Sequence, residues 1–134
     1  MKIYLAHNFD ARHWLLDKIV PQLTQLGHTI TSRWLKESDN QFQESSAEMD
    51  LADIYKSDLF ILFDDQYTGS VKPGRGKYVE FGLAYLAQRK IYVVGSSGEP
   101  YKCVFYYLKG IERFQTFEQV VSELQRLVGL NLAR

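Results

Sequence analysis

Asp58-Leu59-Phe60-Ile61-Leu62-Phe63 is the stretch on which the fold turns. An unbroken apolar run of this length, introduced by an aspartate, is a strand covered on both faces, as in the centre of a parallel sheet. Lys2 to Ala6 (KIYLA) and Ile91 to Gly95 (IYVVG) repeat that pattern upstream and downstream. Helical spacing fills the intervals. After Asp10, a candidate cap, Trp14, Leu15, Ile19, Leu23 and Leu26 recur at helical period, with a kink or a second piece expected at Pro21 and a stop at Gly27. His28 to Arg33 reads as a short second strand, and Leu35 to Glu44 as a polar loop. Ser45 with Glu48 forms a capping box that opens a helix to about Lys56. A helix from about Gly76 to Gln88 follows the Asp64–Gly74 loop, with Val79, Leu83 and Leu86 expected on its inner face. Cys103 to Leu108 is open between helix and strand, Ile111 to Phe114 is a fifth strand, and Thr116 with Gln119 caps a last helix. Strands alternating with helices predict an α/β fold: a flavodoxin-like, Rossmann-like three-layer sandwich with a five-stranded parallel sheet of order 2-1-3-4-5 and helices on both faces. Ligands of such sheets bind at the carboxyl ends of the strands, so functional residues are expected on the loops that begin at Ala6, Asp64 and Gly95.

Composition narrows the function. The 134 residues fit a single domain spanning 1–134, and 46% hydrophobic content supplies its core. Sixteen basic and sixteen acidic residues cancel, which removes the electrostatic footprint of a binder of polymeric nucleic acid. No apolar run is long enough to span a bilayer. The single cysteine, Cys103, excludes an internal disulfide, and with no signal-peptide pattern it predicts a cytoplasmic protein. Three histidines and one cysteine match no metal-ligand spacing, so neither metal nor cofactor is expected.

Among residues able to carry chemistry, Glu80 stands first. It sits near the start of a helix, where the dipole favours a carboxylate. It is either an ordinary first-turn glutamate or a reactive one, and Gly82 and Ala84 beside it clear space of the kind a close ligand needs. Asp50 shares a stripe with Ala47 and Ile54, where a carboxylate is costly unless partnered; solvation at the edge of the stripe is the alternative. Together the two make a carboxylate pair of the kind used in glycosidic chemistry. Tyr4 on the first strand is either core packing or a phenol that orients the carboxylate. His7 and Asn8 open the first loop, and Arg33 and Trp34 follow the second strand, where the indole either packs or stacks on a base. Lys72, Arg75 and Lys77 make the loop before Glu80 basic: a solvated surface, or a site for a 5′-phosphate.

The run from Gly74 to Gly95 (GRGKYVEFGLAYLAQRKIYVVG) resembles the nucleoside 2-deoxyribosyltransferase family, which includes 2′-deoxynucleoside 5′-monophosphate N-glycosidases. Ile3-Tyr4-Leu5-Ala6 is similar to that family's first strand, and Asp50-Leu51 ahead of Asp58 to its acidic residue before the third strand. The segment from Gly27 to Trp34 and the Val104-Phe105 segment also resemble bacterial and phage members. The resemblance implies that Glu80 is the nucleophile, Asp50 the acid/base or orienting carboxylate and Tyr4 the hydroxyl that orients Glu80. The substrate site is expected to include His7, Asn8, Arg33, Trp34, Asp64, Arg75, Gly76 and Cys103. Cys103 falls where the family places a residue that reaches the neighbouring subunit's site, so a homodimer or higher homo-oligomer is expected. The substrate implied is a deoxynucleoside or deoxynucleotide, cleaved or transferred through a deoxyribosyl-glutamate intermediate. Departures lie in the first loop, His7-Asn8 in place of a Gly-Pro or Gly-Gly continuation, and in the longer insertion before Glu80. The rivals are a non-catalytic nucleotide-sensing module on the same fold and an interaction protein with an aromatic oligomer surface.

Overall fold

The computed structural model describes residues 1–38, 44–64, 67, 74–95, 101 and 103–132. Lys72, Asp65, Gly69, Pro73 and the expected loop 96–98 lie outside them. The sheet is five-stranded and parallel, with order β2-β1-β3-β4-β5 formed by Lys2–Ala6 (β1), Thr29–Ile30 (β2), Leu59–Phe63 (β3), Lys90–Val94 (β4) and Ile111–Phe114 (β5). The expected order and class are what the chain adopts. The central position of β3 follows from its side chains, every one of them fully buried.

Strand alternation divides the two faces. Tyr4 pairs with Phe60 in register and stacks on it at 5.5 Å, on the face covered by helices α3 (Glu44–Lys56) and α4 (Gly76–Leu86). Phe63 points the other way, into Trp14 and Phe117. That second face carries the helical stretch 9–25 and α5 (Phe117–Leu132). Thr116 and Gln119 form the expected capping box at α5, each backbone N–H donating to the other's side chain at 3.3 Å.

Several local expectations are corrected. Asp10 does not cap its helix; it sits inside a 3-10 turn, Phe9–Ala11, that leads into α1 (Arg12–Trp14), a π turn (Leu15–Ile19) and α2 (Val20–Gln25). Pro21 falls in the first turn of α2, where its missing N–H leaves no hydrogen bond unmade, so it starts a second piece. The second strand is only Thr29–Ile30, shorter than expected. Beyond it, side chains replace the ladder: Ser32 Oγ accepts from the Leu5 N–H at 2.9 Å, and Trp34 Nε1 donates to the Leu5 carbonyl at 2.9 Å. The segment expected as loop from Leu35 begins inside a 3-10 turn, Arg33–Lys36. Helix α3 starts at Glu44, so Ser45 lies within it and is not its cap. The ambiguous segment resolves as a 3-10 turn, Val104–Tyr107.

The largest correction concerns α4. Val79 and Leu86, expected inside, are 65% and 81% exposed, and Leu83 is also exposed. The buried stripe is Lys77, Phe81 and Ala84. Lys77 is tolerated there because its Nζ donates to the Phe63 carbonyl at 2.9 Å, at the carboxyl end of β3.

Candidate active site

A cavity of about 390 Å³ opens at the carboxyl end of β1. Its walls come from the β1 exit (His7, Asn8, Phe9), the β2 exit (Trp34, Glu37), α3 (Ser46, Asp50) and the start of α4 (Gly74 to Lys77, and Glu80). The site therefore lies over the β2-β1-β3 half of the sheet. Among the described residues Gly95 does not line it, contrary to expectation.

Glu80 begins the second turn of α4 and not the first, so the dipole contributes less than its expected position implied. Gly82 does not clear space for it either, since a Cβ added there would meet nothing within 4 Å. The close approach is at Gly74, where a Cβ would fall 2.0 Å from Asn8 Oδ1. A side chain at 74 would force the buried Asn8 amide out of its place in the cavity wall.

Tyr4 is fully buried, and its hydroxyl donates to Glu80 Oε2. Burial, followed by the charges of Glu80 and Asp50, holds the phenol far above its ordinary value, so it stays a neutral donor. Burial also pushes Glu80 up, to about 8; the Tyr4 hydrogen bond opposes that rise and the charge of Asp50 adds to it. Asp50 is pushed up to about 6 by burial first, then by the charges of Glu37 and Asp53, against the pull of Arg33. Its Oδ1 is buried without a hydrogen-bond partner among the described residues.

His7, Asn8, Trp34, Arg75 and Gly76 line the cavity as expected. The His7 ring stacks on Phe63 at 5.5 Å, and its Nδ1 accepts from the Asn8 N–H at 2.8 Å, which fixes the wall. Trp34 is only 6% exposed, and with its N–H bound to Leu5 it serves as a fixed wall. Three residues lie elsewhere. Arg33 clips to buried Asp53 with its Nε at 2.9 Å and its backbone N–H at 3.0 Å, beside His28 and Lys36 and outside the cavity. Asp64 is buried, accepts from the Tyr106 hydroxyl at 3.0 Å and does not reach the cavity. Cys103 packs at the core edge, away from this chain's cavity.

Sequence reasoning missed Glu37, Ser46 and Phe9 as cavity residues and Asp53 as the anchor of Arg33. Asp53 had a usable signal: it lies three residues after Asp50, on the same inner stripe as Ile54. Glu37 had none, standing in a polar segment with no periodicity. Among the described residues, no group of three His, Cys, Asp or Glu side chains could hold a metal, and no helix is long and apolar enough to cross a membrane.

Fold and site together define a doubly wound α/β fold whose cavity, at the sheet's carboxyl end, is lined by Asp50 and by Glu80, the latter bound by the Tyr4 hydroxyl. No protein-family model matches the sequence, and no curated protein does. Among solved structures, the chain is similar to the CMP N-glycosidase BcmB of Clostridium botulinum, with a TM-score of 0.65 and 17% identity over 95% of this chain and 99% of that one. At that identity the likeness speaks for the fold.

Proposed function

We propose that this protein cleaves or transfers the N-glycosidic bond of a 2′-deoxynucleoside or its 5′-monophosphate, as a member of the nucleoside 2-deoxyribosyltransferase-like group. The observation that carries this reading is the Tyr4 hydroxyl bound to Glu80 on a cavity that Asp50 also lines. The solved N-glycosidase with the same fold adds support. The ionised Glu80 carboxylate attacks C1′ as the C1′–N bond breaks, and the bonding pair leaves with the base. Asp50 gives the departing base its proton. Positive charge at C1′ in the transition state is stabilised by the facing carboxylate, and a 2′-deoxy sugar ionises the more readily because it lacks an electron-withdrawing hydroxyl. Water or a second base then attacks C1′ of the deoxyribosyl-Glu80 ester, releases the carboxylate and returns a proton to Asp50. Arg75 and the amino end of α4 lie at one end of the cavity and suit a 5′-phosphate.

Chromatography of deoxynucleosides and their monophosphates, with and without an acceptor base, tests the reading. Base release by the wild type and a loss of at least ~10³-fold in Glu80→Ala are expected. Binding without release under any condition would favour the sensing module instead.

The oligomer belongs to the same proposal. The outer face of α4 presents Val79, Leu83 and Leu86 to solvent, and Leu51 and Tyr55 of α3, which packs against α4, are exposed too. Val104 and Phe105, just after Cys103, are exposed as well. A second copy of this chain, packed two-fold on that apolar face, would cover it and bring Cys103 toward a neighbour's site.

A further inference from the structure

The geometry points to Glu37 as the residue that selects the base: its carboxylate accepts a hydrogen bond from the exocyclic amino group of cytosine or adenine and rejects the keto oxygen of uracil or hypoxanthine. The inference rests on the reading of the cavity as a nucleoside or nucleotide site.

Glu37 is held in place by its backbone. Its N–H donates to the Trp34 carbonyl at 3.1 Å, and its own carbonyl accepts from Arg12 Nε at 3.0 Å. Arg12 is buried, donates to the Phe9 carbonyl at 3.1 Å and lies over the Phe9 ring at 4.2 Å. The β1 and β2 exits are thus stapled together, with Phe9 and Trp34 as an aromatic wall and Glu37 on the same cavity. Of the carboxylate oxygens, Oε2 meets only Ser46 Oγ, at 3.5 Å, and Oε1 is buried with no partner among the described residues. A buried acceptor left unmade costs ~1–3 kcal/mol or more when charged, which a donor on the ligand would recover. Of the cations upstream, Lys36 lies outside the cavity and Arg33 is committed to Asp53.

The second unpartnered oxygen, Asp50 Oδ1, belongs to a group that the Glu37 charge helps to keep protonated. The Glu37 carboxylate beside the Asp50 carboxyl in its protonated form offers an acceptor next to a donor. Cytosine and adenine present the complement, an amino group next to a bare ring nitrogen. Uracil and hypoxanthine present a keto oxygen next to a ring N–H, which opposes like to like at both positions.

The test compares dCMP with dUMP and deoxyadenosine with deoxyinosine monophosphate, by kcat/KM and by calorimetric binding, in the wild type and in Glu37→Gln. The wild type is expected to prefer the amino base by ~100-fold or more, since a site built for a hydrogen bond discriminates strongly. Glutamine keeps the shape and can turn its amide N–H₂ toward a keto oxygen, so the amino-to-keto ratio should fall at least tenfold. A wild-type ratio near one, or an unchanged ratio in Glu37→Gln with both arms lowered alike, overturns the assignment. If the wild type releases no base, the glycosidase reading fails by itself, and the binding ratio still decides the role of Glu37.

Discussion

Glu80 and Asp50 divide one proton between them over the neutral range, because burial raises the first to about 8 and the second to about 6. The singly protonated pair holds its proton mainly on Glu80. In the proposed mechanism the reactive form is its minor tautomer, Glu80 ionised and Asp50 protonated, and activity still follows the population of the singly protonated pair. The kcat/KM profile should therefore rise through about pH 6 and fall through about pH 8. Glu37→Gln removes a charge that raises Asp50, and should move the acid limb to lower pH. Tyr4→Phe keeps the stack on Phe60 and loses the hydrogen bond that lowers Glu80. Its alkaline limb should move up, with kcat/KM down by ~10–100-fold. A purely structural role for Tyr4 would lower the melting temperature without moving either limb. At this scale the sequence was legible where a residue type was rare for its setting: a carboxylate on the stripe of α3, a tyrosine on a buried strand. Glu37 was not legible, because a glutamate in a polar segment looks ordinary until the fold sets it against Asp50.

At the scale of elements, α4 shows where periodicity stops being informative. It carries two stripes, Val79-Leu83-Leu86 and Lys77-Phe81-Ala84, and apolar character alone selects the first as the inner one. The choice is reversed because Lys77 finds a strand-end carbonyl, which no pattern of hydropathy reveals. The short β2 has a similar cause: Ser32 and Trp34 side chains satisfy Leu5, so the pairing continues without strand geometry. What fixes this segment against α3 is the clip between Arg33 and Asp53. Asp53→Ala leaves the Arg33 N–H unpaired and should destabilise the fold by ~1.5–3 kcal/mol, read by urea denaturation. Because the clip also joins the segment bearing Trp34 to the helix bearing Asp50, KM should rise more than kcat falls. An unchanged KM would show that the clip stabilises without positioning. On the outer stripe, Leu83→Glu with Leu86→Glu should yield monomers by light scattering, against dimers in the wild type. Monomeric wild type would sink the oligomer proposal.

The whole molecule was the most legible level, since strand order follows from β-α alternation and from the doubly buried LFILF run, and neither depends on where any helix stripe points. It is also the level at which the buried carboxyl groups exact a cost. A carboxyl group raised from 4.5 to about 8 by folding stabilises the native state only while it remains neutral. That contribution is complete below pH 4.5 and is lost progressively as pH rises through about 8, where the native state must hold a buried charge. Asp50 adds a smaller loss of the same sign that ends near pH 6. The wild-type melting temperature should accordingly fall from pH 5 to pH 8, with the part between pH 6 and pH 8 belonging to Glu80. Glu80→Gln keeps an acceptor for the Tyr4 hydroxyl and removes the ionisation. It should flatten that segment and leave the variant more stable at pH 8 by a few kcal/mol, roughly 10 °C in melting temperature for a domain of this size. The same variant should release no base. Equal slopes in the two proteins would mean that Glu80 titrates near its ordinary value, and the acidic and basic limbs of the rate profile would then need other owners.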